Sequence, residues 1–282
     1  MELVRAVVVS LRPKHWGKNC LVFALPLSDG LLIGSRFNAE SWLVAFLFFM
    51  SLSFMSSCNY IMNDILDREH DVKHPTKKQR PIASGVISIE LATSVAIFFA
   101  LLSLTIGWAV ADKAGVLVIL GFGILQFLYS VFFKNYSGFD IVILSSLYVI
   151  RCTLPYIYET IPTSRWFLVM IFAGALFLST GKRLAELSGN VQEMTRPVLK
   201  YYTQNQLLLW IGTSLTLLFT SYLNWIFTFE NESSFNVMIL SLMPALIFLI
   251  RITASVLSEK GEDPTKLFLA AKQMPYSYLL GY

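Results

Sequence analysis

Three acids and a carboxamide recur with helical spacing in the run Asn63-Asp64-Ile65-Leu66-Asp67-Arg68-Glu69-His70-Asp71. Asn63, Asp67 and Asp71 are four apart, so on a helix they fall within about 80° of one another. Asp64 lies about 20° from Asp71 by the same geometry, whereas Glu69 points away. The ladder they form is roughly 12 Å long at 1.5 Å per residue. All its ligands are hard oxygens, which suits Mg²⁺ held by one or two carboxylates with substrate phosphates completing the shell. The chemistry such a ladder supports is work on a magnesium-bound diphosphate. The plainer reading is a solvated acidic loop offset by Arg68, Lys73, Lys77 and Lys78. Against it, the spacing repeats over two turns, and acids at the mouth of a membrane helix are costly unless water, metal or partners satisfy them.

Cations follow the acids. Pro75 biases His74 away from the helical region, so the helix is predicted to end there. Thr76-Lys77-Lys78-Gln79-Arg80-Pro81 then supplies three positive charges suited to phosphate oxygens that a metal does not neutralise. A later apolar run ends in Gly181-Lys182-Arg183-Leu184-Ala185-Glu186. Lys182 and Arg183 are well placed there for a phosphate, yet local ion pairs to Glu186, worth roughly 0.3–0.5 kcal/mol, would form without any function. Both readings stay open at this point. Arg12, Lys18, Arg151 and Arg251 complete the set of candidate phosphate ligands. Among them Arg151 sits at the end of an apolar run, where an unpaired charge is expensive. His15, His70 and His74 lack metal-ligand spacing and read as surface residues. Cys20, Cys58 and Cys152 are isolated and read as small core residues.

The elements that must position these groups are membrane helices. Of 282 residues, 55% are hydrophobic and 14% charged, where an ordinary soluble domain carries about a quarter charged. Apolar stretches run approximately 19–34, 42–62, 91–111, 115–133, 139–158, 166–181, 207–228 and 236–257, with a weaker one at 267–282. The first eight read as crossings, near the roughly 20-residue length of a spanning helix. The chain is expected to be one all-α membrane domain over 1–282 with eight or nine spans and an uncleaved first span. Alternate connections carry seventeen lysines and arginines and the intervening ones three. The positive-inside rule then places the N-terminus and the loops after the even-numbered spans in the cytoplasm. The acidic run and the Lys182-Arg183 pair both leave even-numbered spans, so one cytoplasm-facing site is implied.

Together these residues resemble the UbiA superfamily of intramembrane prenyltransferases, whose Asn-Asp-x-x-Asp-x-x-x-Asp signature is matched by Asn63, Asp64, Asp67 and Asp71. The similarity runs from about Arg12 to Phe268. Within that superfamily, three segments look like its decaprenyl-phosphate phosphoribosyltransferase branch: Arg12-Pro13-Lys14-His15-Trp16-Gly17-Lys18-Asn19, the 74–85 loop, and Gly181 to Leu187. Ordinary members carry a second Asp-rich motif after span six, whereas this chain has Lys182, Arg183 and one acid, Glu186. The resemblance implies a UbiA-type bundle and Mg²⁺ on Asn63, Asp67 and Asp71. The implied donor is 5-phosphoribosyl 1-diphosphate (PRPP), and the implied acceptor is a polyprenyl phosphate drawn from the bilayer. It leaves Asp64, Lys77, Arg80, Lys182, Arg183 and Glu186 as candidate contacts to diphosphate, sugar phosphate or lipid phosphate, with Asp67, Asp71, Lys182 and Arg183 nearest the chemistry. It also implies a bacterial plasma membrane and no nucleic-acid partner. Prenyl transfer to an aromatic acceptor is the rival enzyme reading. An anion transporter is a rival of another class, disfavoured because the charges gather at one face whereas alternating access uses a midplane site.

Overall fold

In the computed structural model the described residues are 2–24, 27, 39–158, 164–188 and 197–227. They contain helices and no strand. Helix α1 covers Glu2–Leu11 and leads through Arg12 into a 3-10 segment, Pro13–Phe23. It is followed by α2 (Ala39–Leu66), the short α3 (Arg68–Lys73), α4 (Ile89–Val131), α5 (Phe139–Tyr158), α6 (Arg165–Ser188) and α7 (Gln204–Ile226). Five of these, α2 and α4 to α7, are long and apolar enough to cross a membrane, and the protein is an integral membrane protein. The expected first span is described only in its opening residues, which are 3-10 rather than α. The expected spans 236–257 and 267–282 lie outside the described residues, as does Arg251.

Helix α4 accounts for two expected spans. Its 43 residues are broken at Ala111 (φ -143°, ψ 34°) and Asp112 (φ 46°, ψ -137°), and the chain turns back there, bringing Gly115 against Gly107. Asp112 sits in a backbone region that costs a non-glycine residue about 1–3 kcal/mol. The reversal is tight because Gly107 faces Gly115: a Cβ on Gly115 would lie 2.3 Å from the Gly107 carbonyl oxygen. Lipid tails are as apolar as leucine, so membrane helices gain from close packing of small residues more than from burial itself. Gly115→Ala is therefore expected to cost about 1–3 kcal/mol as an overpacked contact. Gly121→Ala, with open space around its Cβ, is the neutral control. Thermal unfolding in detergent checks both.

The chain forms two compact units, Met1–Lys134 with Ser146–Thr163, and Asn135–Ser145 with Ser164–Tyr282. In the first, α2 packs on α4 through Phe48, Leu52, Met55, Ile119 and Phe122. Ser51 and Ser103 cross-link the two helices, each hydroxyl donating to the other's carbonyl at 2.8 and 2.7 Å. Ile82 and Ile87 of the 74–88 loop are buried against Ile61, Ala92 and α1, and this anchoring fixes the backbone that carries Arg80. In the second unit Ile141, Phe177, Leu184, Val198, Leu207 and Ile211 form the core. Its α7 begins with a capping box: Thr203 Oγ1 accepts from Gln206 N–H, and the Gln206 side chain accepts from Thr203 N–H.

Candidate active site

The acidic run straddles the end of α2. Asp67 N–H donates to the Asn63 carbonyl at 2.9 Å and Asp71 N–H to the Asp67 carbonyl at 2.9 Å, so the i, i+4 ladder continues through Asp67 although α2 formally ends at Leu66. The helix stops at His74 in extended conformation (φ -85°, ψ 137°), where Pro75 required it. His74 Nδ1 then accepts from Thr76 and Lys77 N–H, both at 3.3 Å, shaping the cationic loop.

The acids divide by partner. Asp64 and Asp71 are buried, at 3% and 2% exposure, and both meet arginine. Arg80 Nη1 donates to Asp64 Oδ1 at 3.0 Å and to Asp71 Oδ2 at 2.7 Å, while Arg12 Nη2 donates to Asp64 Oδ1 at 2.6 Å. Arg12 reaches this position from a left-handed backbone (φ 51°, ψ 57°), with its guanidinium 5.1 Å from the centre of the Tyr60 ring. Such a backbone is unfavourable for a side-chain-bearing residue, and the ion pair and the ring hold it there. Asn63 and Asp67 are half-buried and linked to each other, Nδ2 to Oδ2 at 3.2 Å, and among the described residues Asp67 joins no ion pair. Glu69 is exposed, as its wheel position predicts.

No group of three or more His, Cys, Asp or Glu side chains converges on a metal-sized site among the described residues. The residues nonetheless fit Mg²⁺ in its usual manner, in which one or two protein oxygens suffice and phosphates supply the rest. Asn63 and Asp67 offer that pair one turn apart, and Asp71 retains Oδ1 beside it. By angle, the sequence placed Asp64 and Asp71 close together on the ladder. The structure bridges the two through Arg80, because that loop is folded back against the helix.

Lys18 and Lys77 are exposed. His15 tilts against Tyr60 with ring centroids 5.4 Å apart. Partial burial, and then the Lys18 and Arg12 charges, push its pKa below the usual 6.5. The folded chain thus binds this proton more weakly than the unfolded one, so the stability contribution is complete above pH 6.5 and is lost as pH falls below it. His15→Phe, which keeps the ring contact, is expected to flatten part of the decline in thermal stability between pH 7 and pH 5. The effect is small because the ring is exposed.

Arg151 is deep in α5 and 6% exposed. Its Nε donates to Asn19 Oδ1 at 2.9 Å and its Nη1 to the Leu147 carbonyl at 2.8 Å. Sequence reading missed Asn19 as its partner, since 132 residues separate the two.

In the second unit Arg183 is 1% exposed. Its Nε donates to Asp140 Oδ2 at 2.7 Å and its Nη1 to Glu186 Oε2 at 3.2 Å. Tyr202 Oη donates to Asp140 Oδ1 at 2.5 Å and accepts from Gly138 N–H at 2.6 Å. Burial, with the Asp140 hydrogen bond, pushes the Tyr202 pKa up to about 12, so the phenol stays a donor to Asp140 at any physiological pH. Arg183 thereby joins the starts of α5 and α7 to the end of α6. These two contacts of Arg183 are ion pairs to carboxylates of the same unit. Asp140 and Tyr202 were not foreseen; a lone acid in the first turn of an apolar helix was the available signal. Lys182 is half-buried beside Arg183.

Comparison with known proteins gives consistent results. The pattern of the UbiA prenyltransferase family matches residues 22–274. A decaprenyl-phosphate phosphoribosyltransferase of Mycobacterium tuberculosis is 33% identical over 273 residues, covering 95% of this chain and 89% of that protein. One from Corynebacterium glutamicum is 31% identical over 279 residues, covering 96% and 82%. A solved UbiA homologue from Archaeoglobus fulgidus, bound to DMAPP and Mg²⁺, superposes with a TM-score of 0.72 at 18% identity over 94% of this chain and 93% of that one.

Proposed function

The chain belongs to the UbiA prenyltransferase family, and on that premise we propose that it transfers 5-phosphoribose from PRPP to a polyprenyl phosphate, releasing diphosphate. What carries this reading is similarity over 95% and 96% of the chain to two proteins named decaprenyl-phosphate phosphoribosyltransferase. The end of α6 supports it: where a prenyl diphosphate enzyme carries a second acidic motif, this chain has one acid, Glu186, and it is engaged by the buried Arg183. The prenyl-to-aromatic alternative is correspondingly weakened.

In the proposed reaction a lipid phosphate oxygen forms the bond to the anomeric carbon as the bond from that carbon to diphosphate breaks. In-line displacement inverts that centre. The acceptor is already anionic near neutral pH, so no general base is needed, and positioning and electrostatics carry the rate. Asn63 and Asp67, with Asp71, would hold Mg²⁺, which neutralises charge on the departing diphosphate. Arg80 spends Nη1 on Asp64 and Asp71, which keeps Nε and Nη2 for phosphate oxygens. Lys77, Lys18 and Arg12 supply further charge around the same helix end. Within the second unit, Lys182 is proposed as a phosphate contact and Arg183 as a positioning residue for Asp140 and Glu186. The proposed setting is a bacterial plasma membrane with these loops in the cytoplasm.

The test is transfer of label from PRPP carrying radioactive ribose to a polyprenyl phosphate by purified protein, with and without Mg²⁺. Label in the lipid supports the reading. Prenylation of an aromatic acceptor, with no ribose transfer, overturns it.

A further inference from the structure

The charge on Arg151 has no counter-charge among the described residues. Its partners are the Asn19 amide, the Leu147 carbonyl and the faces of Phe122 and Tyr148, 4.9 and 5.2 Å from the guanidinium carbon. Asn19 in turn donates to Ser53 Oγ at 3.1 Å, and Ser53 to the Phe49 carbonyl at 2.7 Å, so the whole chain of contacts is neutral. Nη2 makes no hydrogen bond among the described residues. A buried cation inside a membrane span is expensive to keep without an anion, whereas the half-buried Arg12 and Arg80 of this unit each have a carboxylate partner.

Its position narrows the ligand. Helical side chains lean toward the N-terminus, and the bond to Leu147 one turn back shows that the guanidinium does so. Tyr60 lies within electrostatic reach of both Arg151 and Arg12, and it shares a face of α2 with Asn63, Asp64 and Asp67, one turn further into the span. Arg151 is thus on the membrane side of the acids, between aromatic rings.

We propose that Arg151 seats the phosphate of the polyprenyl phosphate acceptor, apart from the acids that take the metal and diphosphate. The proposal rests on the phosphoribosyl-transfer reading. A phosphate arriving with an apolar chain enters from the bilayer and is met by a guanidinium with apolar walls. The water-soluble donor meets the loop cations first.

Asn19→Asp tests it by supplying the missing carboxylate beside Nε. Binding of a polyprenyl phosphate, the corresponding polyprenol and PRPP is measured on the full chain in nanodiscs, alongside thermal stability. Asn19→Asp is expected to hold or raise stability while weakening polyprenyl phosphate binding about 10–100-fold, the worth of a hydrogen bond to a charged group. PRPP binding stays unchanged. Arg151→Lys, which keeps the charge but not the fork, should lose less. Unchanged lipid affinity in a stable Asn19→Asp, or a loss confined to PRPP, overturns the proposal while ribose transfer by the native chain leaves the functional reading standing. A native chain that neither prefers the phosphate lipid over the polyprenol nor transfers ribose overturns both.

Discussion

Asp67→Asn is expected to lose at least about 100-fold in ribose transfer, since even outer partners of a metal site are worth 10–100-fold. The substitution keeps the shape of the side chain and the i, i+4 backbone ladder through Asn63, Asp67 and Asp71. It removes a carboxylate of the ladder that joins no ion pair among the described residues, so folding should survive and the loss should fall on turnover. Raising Mg²⁺ should recover part of it if the remaining oxygens still bind the metal. Native-level transfer by a correctly folded Asp67→Asn protein would move the metal elsewhere and undo the assignment. Asp64→Asn contrasts with it. Asp64 is shared by Arg12 and Arg80, so its loss should loosen the N-terminal segment and the 74–88 loop as well as slow transfer.

Arg183→Met carries the largest expected effect on stability. Arg183 and Asp140 are 1% and 0% exposed, and removing one partner of a buried pair leaves an uncompensated charge, at a cost of about 3–5 kcal/mol. Tyr202 continues to donate to Asp140 and softens the loss without cancelling it. Thermal unfolding should show a large drop, and Asp140→Asn combined with Arg183→Met should be more stable than the sum of the two single losses. A stable Arg183→Met protein with weakened phosphate binding would reverse the assignment, making Arg183 a ligand and the ion pair incidental.

The amino-acid order by itself determined the membrane class, the approximate positions of the described spans and the acidic ladder. These are local properties: apolar run length, the helical repeat, and the restriction Pro75 places on His74. The reversal inside α4 was legible in the same way, as a gap around Asp112 and Lys113 between two apolar runs, although the close approach of Gly107 and Gly115 was not. Tertiary structure alone decided how the charges are shared. Wheel angles put Asp64 and Asp71 near the face of Asn63 and Asp67 but not against an arginine: Arg80 lies on a loop whose return is set by burial of Ile82 and Ile87, and that burial brings one guanidinium to both acids. Lys182 and Arg183 are adjacent in sequence and equally cationic. They differ only because the helix turns Arg183 toward Asp140, 43 residues away. Asn19 and Arg151 had no sequence signal linking them at all. A charge announces where it occurs in the chain, but its partner depends on which distant segments the packing of apolar side chains brings alongside.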